Sequence, residues 1–100
     1  MTKEKAKAVT LQVWCYLQSH PEIKSKKYYP SWLLEKVFGC RNYCPLCDLF
    51  YANGGWDCPL CPLEHCGTKS DYFKWYNAKD NETRSICAGN IVEKVKAWEV

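Results

Sequence analysis

Cys44-Pro45-Leu46-Cys47 and Cys58-Pro59-Leu60-Cys61 are two identical Cys-x-x-Cys units separated by ten residues, and no other feature of the chain restricts its fold as much. Two residues between cysteines let one tight turn aim both sulfurs at a single ion about 2.3 Å away, and a second such turn completes a tetrahedron. The proline after the first cysteine pre-sets the turn and leaves later amides free to donate to thiolate. Cys44, Cys47, Cys58 and Cys61 are therefore the expected zinc ligands, with Cys66 and Cys40 as substitutes. A second ion would need shared thiolates or His65, which reads more simply as an exposed loop residue.

Four thiolates leave no open coordination position, so the expected ion holds the fold and does not activate water. Iron is the competing metal, because two Cys-Pro-x-Cys turns resemble a rubredoxin site. The short gap and the lack of glycine after each unit weigh against it.

The dependence on metal follows from size. A 100-residue chain buries only about two thirds of the surface its unfolded form exposes, and small domains supplement such a core with disulfides, metal or a partner. Eight cysteines point to one of the first two. The start, Met1-Thr2-Lys3-Glu4-Lys5-Ala6-Lys7, lacks the apolar run of a secretory leader. No stretch approaches the roughly 18 apolar residues of a membrane span. The expectation is a cytoplasmic protein with reduced thiols, which favours metal over disulfides.

Hydrophobic periodicity places helices on both sides of the cysteine segment. Ala6, Val9, Val13, Tyr16 and Leu17 recur at three- and four-residue steps, predicting a helix from Lys3 to Gln18 that ends at His20-Pro21. Cys15 within it is expected to be a buried small hydrophobe. Ser31 is the expected N-cap of a short helix, Trp32 to Phe38, stopped by Gly39. Thr68 with Asp71, or Ser70 alone, would cap a helix through Tyr72, Phe73, Trp75 and Tyr76. Asp80 or Asn81 would cap a last helix carrying Cys87, Ile91, Val95 and Trp98 on one face, with Gly89 marking a close helix contact.

Between the two cysteine units, Asn53-Gly54 signals a hairpin over 48–57, although Asp48 to Ala52 also fits one helical turn. The expected fold is thus small α+β, mainly helical, with a zinc-ribbon-like or zinc-knuckle cysteine cluster flanked by N- and C-terminal helices. One domain spans 1–100: a helical part over 1–39, the zinc-binding segment over 40–67, and a helical part over 68–100.

The run Cys44-Pro-Leu-Cys47, Cys58-x-x-Cys61-Pro62-Leu63, Cys66, Tyr72 and Trp75 resembles small zinc-binding proteins of unknown function from tailed bacteriophages. The resemblance covers about a third of the chain and is dominated by cysteines and Pro-Leu pairs. It implies a viral protein acting in the host cell cytoplasm by binding and diverting a host component.

Function then divides by partner. Five Trp, seven Tyr and three Phe are more rings than so small a core hides, and exposed Trp and Tyr are favoured interface anchors. The leading expectation is a non-enzymatic zinc-binding module that meets a protein partner through Trp32, Tyr51, Trp56 and Trp75, with Lys26 and Lys27 beside them. The alternative is a nucleic-acid-binding zinc ribbon, using Lys24, Lys26, Lys27 and Arg41 near Tyr28, Tyr29 and Tyr43. A net charge of +3 is low for neutralising many phosphates.

Catalysis is not expected. His20-Pro21-Glu22 followed by Cys44-x-x-Cys47 imitates the zinc deaminase pattern, but no proline precedes Cys44. A redox role for Cys-x-x-Cys lacks the βαβ context it requires. Oligomeric state is left open by the sequence.

Overall fold

The computed structural model describes residues 2–40, 43–50, 61–63 and 70–99. These are mainly helical, and no strand occurs among the described residues. Five helices follow in order: α1 (Lys3–Ser19), α2 (Ser31–Val37), α3 (Pro45–Phe50), α4 (Asp71–Tyr76) and α5 (Asn81–Ala97), with a 3-10 turn at Lys26–Tyr28 before α2.

The two long helices form the frame. Helix α1 starts where the Thr2 side chain accepts from the Lys5 amide at 3.1 Å and stops at His20, whose own amide bonds Leu17 O. It buries Ala6, Thr10, Val13, Trp14 and Leu17. Helix α5 starts at Asp80, whose carboxylate accepts from the Thr83 amide at 2.6 Å, and buries Cys87, Ala88, Ile91, Val92 and Val95.

Side-chain bonds show that α1 and α5 run antiparallel. Lys7 Nζ, near the start of α1, donates to Lys96 O at 3.1 Å and Trp98 O at 2.5 Å, covering carbonyls that the end of α5 leaves without helical partners. At the other end Ser85 Oγ donates to Gln18 O at 2.9 Å. Gly89 lies where the two helices approach: a Cβ there would stand 2.7 Å from Gln18 Nε2, so the close contact expected at this glycine is present.

Helix α4 packs against α5, and α2 and α3 pack against α1. Leu33 and Val37 of α2, Leu46 of α3, Trp75 of α4 and Ile91 of α5 join Trp14 and Leu17 in one core. Leu46 belongs to the first cysteine unit and Leu63 follows the second, so the cysteine segment is anchored to the helical core through its leucines. Arg84 is 3% exposed. Its guanidinium donates to Pro21 O at 2.6 Å, to Asn81 Oδ1 at 2.9 Å and to Ala78 O at 2.9 Å, tying the loop after α1 to the turn before α5.

Several expectations need correction. Cys15 is exposed, because the face of α1 that meets the core runs through Trp14 and leaves residue 15 outside. Ser31 is the first residue of α2, and Pro30 occupies its cap position without a side-chain bond. Phe38 lies past the end of that helix and is 79% exposed. The first arm of the expected hairpin is helical as far as Phe50, which is the single helical turn the same residues also allowed. The remainder of that hairpin, 51–57, lies outside the described residues.

Candidate metal centre and adjoining pocket

The chain reaches the first cysteine unit through Tyr43, a non-glycine residue held in the left-handed region at φ 51°. Gly39, at φ 87°, ends α2 in the same region, where glycine carries no Cβ penalty. After these reversals Cys44 sits just before α3 and Cys47 lies in its first turn. The Cys47 and Asp48 amides donate to Cys44 O at 3.0 and 3.4 Å, closing the turn.

Interaction with the Cys47 side chain, then burial and the neighbouring Cys47 charge, push the Cys44 thiol well above its usual range; the Cys47 backbone amide and the charge of Lys26 act in the opposite sense. Two soft donors side by side suit a thiolate-preferring cation, which on binding would displace one proton from each thiol to water. The donor chemistry of this pair therefore fits zinc.

The other candidate ligands are placed differently. Cys40 bonds the Asp48 side chain, and its thiol is raised first by burial and then by that carboxylate. Cys61 is buried in the helical core. Cys58, Cys66 and His65 lie outside the described residues. Among the described residues no three His, Cys, Asp or Glu side chains are grouped so as to hold a metal ion.

A pocket of about 590 Å³ adjoins this pair. Its lining includes Cys44 and Cys47, Thr10 and Trp14 of α1, Tyr72 and Tyr76 of α4, and Lys26, Lys27 and Tyr29. Lys26 Nζ stands 4.9 Å from the Tyr72 ring centroid, and Lys27 Nζ 5.4 Å from that of Tyr28. Burial, above all, raises the Tyr29 pKa, so that phenol remains a neutral donor. Thr10 Oγ1 is buried without a hydrogen-bond partner among the described residues, a state that costs about 1–3 kcal/mol.

The residues expected to meet a partner separate into four groups. Trp32 is 40% exposed, its ring edge-on to Tyr16 at 4.9 Å. Trp75 is corrected from surface anchor to core: it is fully buried, edge-on to Trp14 at 5.0 Å, because α4 presents this face to α1 and α5. Tyr51 and Trp56, like Arg41, lie outside the described residues. Lys26, Lys27, Tyr29 and Tyr43, named for nucleic acid, are brought together on the pocket.

His20 serves locally. It stacks on Tyr16 with centroids 3.9 Å apart, and its Nδ1 lies 2.9 Å from Tyr16 O. Sequence reasoning missed Thr10, Tyr72 and Tyr76 as pocket residues. The available signal was Thr10, a hydroxyl three residues before Val13 and four after Ala6 on an otherwise apolar stripe.

No protein family, curated protein or solved structure matches the chain.

Proposed function

We propose that this chain is a non-enzymatic zinc-binding module that presents surface aromatics to a protein partner. Cys44 and Cys47 hold one side of the ion, and Cys58 and Cys61 of the duplicated unit are the proposed completion. Zinc with four thiolates supplies structure and no open coordination position. The observation that supports this reading is the closed turn that sets Cys44 and Cys47 at the start of α3, in a sequence that repeats the same four residues.

For the partner, Tyr28 (58%), Trp32 (40%) and Phe38 (79%) leave large rings in water around α2, where rigid aromatic anchors contribute most to association. By the phage-like resemblance, the partner proposed is a host protein in the host cytoplasm.

Native mass spectrometry of protein purified from its host tests both parts. One zinc per chain is expected, lost with the structure of the cysteine segment on chelation. A bound protein is expected that Trp32→Ala releases while the zinc remains. Metal-free protein that is still cooperatively folded would overturn the zinc reading.

Nucleic-acid binding is the second reading, favoured by Lys26, Lys27, Tyr29 and Tyr43 meeting at one pocket. A steep salt dependence of binding to random single strands would support it. No binding at low salt would remove it.

A further inference from the structure

The pocket beside the cysteine pair has the size and wall chemistry of a small-molecule site, which neither the zinc nor a protein partner at α2 accounts for. Ligand cavities commonly enclose about 300–1,000 Å³, with mostly apolar walls and a few polar groups that orient the ligand, and this one holds about 590 Å³. Its walls are dominated by rings. Trp14 is edge-on to Tyr72 at 6.1 Å, and Tyr72 stacks with Tyr76 at 6.5 Å and 19°. Tyr76 is exposed and lines the pocket, so an incoming ring can reach it.

The polar groups are chemically one-sided. The described lining residues include two lysines and several hydroxyls and no carboxylate. Lys26 and Lys27 each stand near a ring, that of Tyr72 and that of Tyr28, and attraction to an anion is assigned to Lys27 because it is the more exposed of the two. Thr10 also lines the pocket, its Oγ1 unpaired among the described residues.

We infer that the pocket bounded by Thr10, Trp14, Lys27, Tyr29, Tyr72 and Tyr76 binds a small planar aromatic anion, of the kind represented by a nucleoside monophosphate. The ring stacks on the tyrosines and the phosphate faces Lys27. The site shares a wall with the proposed metal pair, so the test is made on zinc-loaded protein with the metal counted before and after.

Adenosine 5′-monophosphate, adenosine and inorganic phosphate are titrated separately into the full chain, read by Trp fluorescence and amide shifts. Adenosine monophosphate should perturb Thr10, Tyr72 and Tyr76 and bind more tightly than adenosine, with inorganic phosphate leaving the Tyr72 and Tyr76 signals unchanged. Lys27→Gln should weaken the monophosphate roughly threefold to fivefold, the effect of one solvent-screened charge, and leave adenosine unchanged. Tyr76→Ala should weaken both roughly fivefold or more by loss of stacking, with Tyr76→Phe restoring them. The inference is overturned if millimolar monophosphate leaves these signals unmoved in folded, zinc-loaded protein. Binding of an oligonucleotide with no binding of the monophosphate overturns it as well.

Discussion

Trp14 of α1 and Trp75 of α4 meet edge to face with centroids 5.0 Å apart and planes at 82°, which joins a helix before the cysteine segment to one after it. Trp75 Nε1 has no hydrogen-bond partner among the described residues. Trp75→Ala is expected to destabilise the protein by about 3–5 kcal/mol through the cavity it leaves. Trp75→Phe removes the unpaired donor along with some volume, and these effects offset to within about 1 kcal/mol. Urea denaturation of both variants against the native protein measures this; a Trp75→Phe loss of about 2 kcal/mol or more would mean that the indole N–H is satisfied.

Arg84 makes its bonds mainly to backbone carbonyls of two loops that are distant in sequence. Arg84→Met would leave Pro21 O and Ala78 O without this donor and lower stability by about 2–4 kcal/mol. Arg84→Lys, which keeps a charge without the two-armed geometry, should fall between. Thermal unfolding reads this directly, since about 1 kcal/mol moves the midpoint of such a domain by 4–8 °C.

The thiols divide by location. Cys15 is exposed, whereas Cys87 is buried, with its thiol raised first by that burial and then by Asp71. In native protein Cys15 should react with a disulfide reagent within minutes and Cys87 only on unfolding. Cys15→Ser should keep the metal stoichiometry. Cys44→Ser and Cys47→Ser should each reduce it, as measured by native mass spectrometry.

Asp80 caps α5, and the Thr83 backbone amide, as the main cause, holds its carboxyl below the usual value. Because the folded-state pKa is the lower one, the stabilisation is complete above the unfolded value of about 3.9 and is lost as pH falls through the folded one. Asp80→Asn keeps a capping oxygen and should flatten the acid limb of the stability profile. An unchanged limb would mean that other carboxylates dominate it.

Local signals set most helix limits: of the alternatives the sequence allowed, Ser70 and Asp80 are the residues that cap α4 and α5, and Gly39 follows α2 at a positive φ, whereas Ser31 yields the cap position to Pro30. Cys87, Ile91 and Val95 share a buried stripe at steps of four, as their spacing required. The helical turn after Cys47 was ambiguous because Asp48-Leu49-Phe50 alternates too briefly for period two and period 3.6 to be told apart. The pocket was invisible, since it joins Thr10, Lys26, Cys44 and Tyr76 from four separate parts of the chain.

By itself the sequence determined the helices at either end, their caps, and the paired thiols of Cys44 and Cys47, because hydrogen bonds to a cap and sulfurs two residues apart are set by neighbours along the chain. Only tertiary structure decided that Trp75 is core while Phe38 is surface, that Cys15 faces water, and that lysines and tyrosines close around one cavity. Burial belongs to the meeting of two faces, and one strand of text carries the periodicity of each face without stating which other face it will meet.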